Sequence, residues 1–177
     1  MTRLLLVGAM GSGKTAVGTS LAIKTGWPYI DNDALLLRSS GLTAPELLAR
    51  DGEAGLHAAE ATVLTLQLGI PGSVILGISG GAVLEPTSRE RLRAAGQVVW
   101  LRASPAVLAR RIGAAAGRPL VGEPLATLTR LAAERNAFYA EVASETIEVD
   151  LLTAGAVAKT ILATLGLPTL GDHAPRR

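Results

Sequence analysis

The sequence predicts a three-layer α/β domain built on a parallel sheet of about five strands, and three observations carry that reading. Short apolar runs alternate with longer stretches of helical composition. Those runs are apolar enough to be buried on both faces, as parallel strands covered by helices must be. The first of them, Leu4-Leu5-Leu6-Val7, passes directly into the glycine-rich stretch GAMGSGKT and then into a helical segment.

Taken in chain order, the strand candidates are residues 4–7, 27–30, 74–78, 98–101 and 146–149. Helical composition falls at 14–25, 34–39, 44–50, 52–68, 88–95, 105–112, 124–141 and 154–165. Ser104-Pro105 and Thr153 read as helix starts, because proline suits a first turn and a threonine hydroxyl can accept an orphan backbone N–H. No internal repeat is visible. The closing GLPTLGDHAPRR has turn residues without a periodic apolar face, so a single domain over 1–166 followed by a frayed tail over 167–177 is expected.

Composition narrows the function. At 177 residues, 49% hydrophobic and 18% charged, the chain suits one folded domain with one sizeable core and is too short for a multi-domain motor. A net charge of +2 with 3% aromatic residues offers neither a basic field nor a stacking platform for nucleic acid. There are no cysteines, which excludes disulfides, thiolate metal sites and cysteine nucleophiles. The first strand begins at Arg3 and no apolar run reaches about 18 residues, so neither a signal peptide nor a membrane span is expected and the protein is placed in the cytoplasm. A monomer acting on a small molecule is the expected form.

GAMGSGKT fits G-x-x-x-x-G-K-[ST], with Gly8, Gly13, Lys14 and Thr15 at the fixed positions. Glycines let successive backbone N–H groups turn toward a phosphate, the following helix N-terminus adds partial positive charge, and the lysine reaches the terminal phosphates. Thr15 then offers its hydroxyl to Mg2+. A dinucleotide loop is disfavoured, because Ala16 stands where a third glycine is needed. The predicted ligand is a nucleoside triphosphate, in contact with Gly11, Ser12, Gly13, Lys14, Thr15 and Ala16.

What accompanies the loop decides the class. No Asn-Lys-x-Asp base reader of GTP switches occurs, and the strand ending near Ile78 runs into SGGAVL without the acid usual in motor ATPases. Acids sit instead in YIDNDALL, where Asp31 and Asp33 are two apart and share a face in an extended segment. Two carboxylates beside a triphosphate can divide the labour, one holding Mg2+ through water and the other orienting an acceptor hydroxyl. The competing reading is that either merely caps the next helix. A small-molecule kinase is the reading that follows.

With these residues in view the chain resembles the shikimate kinase family over residues 3 to about 165, on GAMGSGKT, DND, DGEAGLHAAE, SGGAVL, VVWLRASPAVLARR, GRPL and AAERNAFYAEVA in that order. The resemblance implies a three-layer P-loop kinase fold, with a five-stranded parallel sheet in the order 2-3-1-4-5 and helices on both faces. It also implies an acceptor-binding helical region at about 33–62 and a lid at about 113–124. ATP and Mg2+ are the implied co-substrate and metal, and the γ-phosphoryl goes to a ring hydroxyl of shikimate, a step of aromatic amino acid biosynthesis. Carried over by position, Lys14 and Thr15 serve phosphates and metal, Asp31 the metal's water shell, and Asp33 the acceptor hydroxyl. Arg118 becomes the lid arginine that meets the transferring phosphate, Arg135 binds the substrate carboxylate, and Arg111 lies against adenine, with neighbouring Arg110 an open alternative.

Departures from the family pattern gather at the acceptor side. Leu56-His57 stands where a Phe-Arg pair is expected, and a mostly neutral imidazole does not replace a planar fork that binds carboxylate by two hydrogen bonds. Glu60, three residues on, can orient that imidazole. The three-glycine turn reads Ser79-Gly80-Gly81, and Gly77 occupies a place that often carries a small hydroxyl residue near the metal. His57, Ser79, Gly80, Gly81, Asp33 and Arg135 are the expected acceptor contacts. Three functions remain in play: a shikimate kinase with an altered pocket, a related kinase for another polyol or cyclitol, and a nucleotide-binding protein without transfer.

Overall fold

The computed structural model describes residues 1–114 and 124–173. Five strands form one parallel sheet: β1 (Arg3–Val7), β2 (Tyr29–Asp31), β3 (Val74–Gly77), β4 (Gln97–Arg102) and β5 (Glu145–Glu148), in the spatial order β2-β3-β1-β4-β5. The helices are α1 (Lys14–Thr25), α2 (Asn32–Ser40), α3 (Ala44–Leu68), α4 (Pro86–Ala95), α5 (Pro105–Ala114), α6 (Pro124–Val142) and α7 (Ala154–Thr164). The predicted strand order is therefore the observed one.

Apolar runs build the sheet because its centre has water on neither side. Leu4, Leu5, Leu6 and Val7 are fully buried, with Leu4 and Leu6 in the layer that holds α1 and α7, and Leu5 and Val7 in the opposite layer with Leu64, Leu92 and Tyr139. Each such side chain contributes about 1.5–3 kcal/mol by leaving water. A smaller cluster of Leu36, Leu47 and Val63 joins α2 to α3 and makes the acceptor-side helices a unit of their own.

Two boundaries differ instructively from the sequence reading. The predicted helices 44–50 and 52–68 run on as α3, with one break at Gly52, whose φ of 69° and ψ of −173° leave the helical region. Strand β2 lies one to two residues later than predicted, which puts Asp31 at its last position and makes the same residue the N-cap of α2. Past α7, Leu167 packs against the core and Leu170–His173 forms a single 3-10 turn, where a frayed tail is expected from the sequence.

Central strand β1 pairs with β3 on one side and β4 on the other. The chain winds in opposite directions from it, and in an open α/β sheet the crevice beyond the strand carboxyl ends at such a reversal is where ligands bind. The phosphate-type loop leaves β1 at that point.

Candidate active site

Residues 8–13 turn from β1 into α1 through positive φ at Gly8, Gly11 and Gly13. At Gly8 a Cβ would lie 2.7 Å from the Leu101 carbonyl oxygen and 2.9 Å from Ser12 Oγ, so close packing as well as conformation demands glycine. Gly13 is the N-cap of α1, left-handed at φ 99°. Lys14 Nζ donates to the carbonyls of Gly8 at 2.7 Å and Ala9 at 3.1 Å, folding its charge back over the loop. Ser12 is 2% exposed and its Oγ has no hydrogen-bond partner among the described residues. A buried hydroxyl without a partner, an ammonium and a helix N-terminus on one loop fit a polyphosphate.

Beside the loop lies a cleft of about 310 Å³, walled by Ala16 and Val17 of α1, Val149 and Leu152 after β5, Val157 of α7, and Arg111 of α5. Its apolar walls and one guanidinium suit the flat face of a nucleobase. Arg111 donates to Val149 O at 2.7 Å and Ser12 O at 3.4 Å, so it ties the loop to the far wall. Of the two candidate arginines it is Arg111 that lines the cleft, while Arg110 is exposed.

The carboxylate pair divides as its positions dictate. Asp31 Oδ2 accepts from Thr15 Oγ1 at 2.9 Å and from the Tyr29 hydroxyl at 2.7 Å, and Asp31 Oδ1 accepts from the Asp33 N–H at 2.9 Å. Burial works to raise the Asp31 pKa, but these bonds outweigh it and hold the carboxyl below the usual aspartate range. For Tyr29, burial first and the Asp31 carboxylate second push the phenol well above its ordinary range, so it stays a donor. Capping and metal-side placement therefore meet in one residue. Thr15 and Asp31 form a pair of hard oxygens that fits Mg2+. Among the described residues no group of three or more His, Asp or Glu side chains surrounds one point, so such an ion would draw its remaining ligands from phosphate and water. Asp33 is exposed on the first turn of α2, and its charge reaches both Tyr29 and Glu60.

Across the strand ends stands a second constellation. The Ser79 hydroxyl donates to Glu60 Oε1, and the Gly81 N–H donates to Ser79 Oγ at 3.2 Å. A Cβ on Gly81 would come within 3.0 Å of Glu60 Oε2, and one on Gly80 within 3.2 Å of the Tyr139 hydroxyl and 3.4 Å of Gly8 O. The acceptor turn thus abuts the phosphate loop, backbone to backbone. Tyr139, stacked on Trp100 with ring centroids 5.6 Å apart, donates to Gly80 O at 2.8 Å, and burial pushes its pKa up to about 12. Arg135 lies one turn before Tyr139 on α6, with its Nε buried and 3.9 Å from Glu134 Oε1. Arg89 braces this side, donating to Val83 O at 2.8 Å, pairing with Glu141 at 2.8 Å and lying 4.4 Å over Phe138.

Burial raises the Glu60 pKa despite Ser79, His57 and Arg135, which all favour its charge, while Asp33 adds to the rise. His57 and Glu60 border one small depression with Gly81, as their spacing on α3 suggests. The Glu60 carboxylate is nonetheless bonded to Ser79, so its hydrogen-bonding role concerns the turn after β3.

The structure brings together Gly11, Ser12, Gly13, Lys14, Thr15, Ala16 and Arg111 around the loop and cleft, and Asp33, His57, Ser79, Gly80, Gly81 and Arg135 around the acceptor turn. Arg118 and residues 115–123 of the expected lid lie outside the described residues. Tyr29, Tyr139 and the Val149 to Leu152 wall were missed by sequence reasoning. Only Tyr29 left a signal, being two residues before Asp31 and so on its face of the strand.

Comparison with known proteins agrees with this geometry. The family model for shikimate kinase matches residues 10–166. A shikimate kinase of Paramagnetospirillum magneticum is 38% identical over 169 residues, covering 93% of this chain and 86% of that protein. One from Symbiobacterium thermophilum is 40% identical over 151 residues, covering 83% and 86%. Among solved structures, shikimate kinase from Acinetobacter baumannii in complex with shikimate superposes with a TM-score of 0.85 at 32% identity over 98% of this chain and 96% of that one.

Glu60 supplies a test of the acceptor cluster. Its pKa lies above the ordinary 4.5 in the folded state, so between 4.5 and that raised value the folded chain holds more protons than the unfolded one. Stability is therefore lost as pH rises through that window. Glu60→Gln keeps an acceptor for Ser79 and removes the titration, so urea denaturation from acid to neutral pH should show the parent declining relative to the variant; parallel profiles would contradict the assignment.

The phosphate-type loop, the Asp31–Asp33 step and the turn after β3 converge at the carboxyl ends of neighbouring strands, and together with these matches they establish that the chain belongs to the shikimate kinase family.

Proposed function

We propose that this protein transfers the γ-phosphoryl group of ATP, as its Mg2+ complex, to a ring hydroxyl of shikimate. The observation that carries the reading is the contact of the turn after β3 with the phosphate loop, Gly80 against Gly8, with the charges of Asp33 and Arg135 both reaching Glu60 at that turn. Phosphoryl transfer needs positioning and charge neutralisation more than covalent chemistry. Lys14 and the loop amides hold the phosphates, Thr15 and Asp31 hold the metal directly and through water, and Asp33 orients the acceptor hydroxyl and takes its proton. Arg135 binds the acceptor carboxylate, with His57 as its weaker partner. Arg118, outside the described residues, is proposed to neutralise the phosphoryl group in flight. We propose a monomer acting in the cytoplasm on small molecules alone; among the described residues no helix is long and apolar enough to cross a membrane.

A second reading, a kinase for a polyol or cyclitol other than shikimate, draws on two residues. His57 stands in the depression where an arginine would give a permanent fork, and Ser79 adds a hydroxyl to the turn.

Two variants test these roles. Asp33→Asn should lower kcat for shikimate phosphorylation by on the order of 100-fold with nucleotide affinity little changed, measured as ADP release; retained turnover would reduce Asp33 to a helix-start residue. His57→Arg should lower shikimate KM at neutral pH by about 10-fold or more, since a hydrogen bond to a charged group is worth about 1.5–3 kcal/mol. An unchanged KM would favour the second reading.

A further inference from the structure

We infer that Tyr29 is a positioning residue for the metal-side carboxylate, its hydroxyl seated in the space Gly77 leaves open and holding Asp31 in place for a divalent cation that arrives with the nucleotide. This rests on the nucleotide reading above.

The slot for this side chain is carved by two glycines on different elements. Asp31 and Gly77 are register partners across β2 and β3, and Tyr29, two residues before Asp31, lies on the same face of its strand. A Cβ at Gly77 would collide with the Tyr29 hydroxyl, and one at Gly18 on α1 would collide with the edge of its ring. No larger residue fits either position with the tyrosine where it is.

Packing explains the ring but not the hydroxyl. A phenylalanine would fill the Gly18 side of the slot equally well. What tyrosine adds is the 2.7 Å bond to Asp31 Oδ2, the oxygen that also accepts from Thr15 at 2.9 Å. Oδ1 is held by the Asp33 N–H at 2.9 Å, so three donors on three elements, α1, β2 and α2, determine how the carboxylate is turned. Thr15, having committed its hydrogen to Asp31, keeps its oxygen lone pairs for a cation. Outer partners of this kind orient metal ligands, and their removal costs metal affinity while leaving the direct ligands in place.

Calorimetric titration of the full chain with a non-hydrolysable ATP analogue, once with EDTA and once with excess Mg2+, separates the possibilities. In Tyr29→Phe the metal-free affinity should match the parent, while the Mg2+-dependent tightening should shrink by roughly 10-fold. The ratio of the two affinities does not depend on the folded fraction, so partial loss of fold cannot mimic the effect. A variant with the parent's ratio would overturn the inference and leave Tyr29 a packing residue, as would equal weakening in both titrations. Failure of the intact chain to bind the analogue at all would overturn the nucleotide reading along with it, a result distinct from either.

Discussion

Three elements of this site meet at the Asp31 carboxylate, and the geometry of the phosphate side depends on it. One oxygen is shared by a hydroxyl from α1 and a phenol from β2, and the other caps α2 by accepting the first-turn amide of Asp33. A carboxylate so bonded stays ionised although it is partly buried, because the donors outweigh the loss of water. The bond from the Asp33 N–H also caps α2, so the helix that carries Asp33 starts from the residue that meets Thr15 and Tyr29. Thr15, Tyr29 and the start of the helix that carries Asp33 are thus coupled through a single helix cap.

The acceptor side is organised by a different compromise. Glu60 is a partly buried acid in a cluster with a histidine, an arginine and Asp33, and the loss of water outweighs the neighbours that favour its charge. Ser79 spends its hydroxyl on that acid, which joins α3 to the turn after β3. Tyr139 and Arg89 clamp the same turn from α6 and α4 through backbone carbonyls. A turn held from three helices can keep its glycine backbone against the phosphate loop, which is the close approach that phosphoryl transfer requires.

The sheet was legible because central strands carry a signal independent of context, Leu4 to Val7 being apolar enough for burial on both faces, whereas the strand order came only with the family resemblance. The phosphate loop was legible for a similar reason, its glycines answering to backbone demands that act within a few residues. Tyr29 was not, since its slot is cut by Gly18 and Gly77, 11 and 48 residues away in sequence, and neither glycine announces what it makes room for. Ser79 was recognised as a departure without its partner: spacing along α3 pairs Glu60 with His57, and the two do border one depression, but the hydrogen bond of Glu60 goes across to the turn after β3. Helical periodicity reports neighbours on one helix and is silent about what the facing loop presents.

The departures at His57 and Ser79 concentrate change around the turn after β3 and its neighbouring helix, so the identity of the phosphorylated molecule is the claim most exposed to experiment. The direct measurement is transfer of label from γ-labelled ATP, with products separated after incubation with shikimate, quinate, gluconate and neutral cyclitols in parallel. Label recovered in a shikimate phosphate, well above any other acceptor and above hydrolysis without acceptor, is the predicted result. Label passing preferentially to a neutral cyclitol, or remaining in ATP whatever the acceptor, would contradict it.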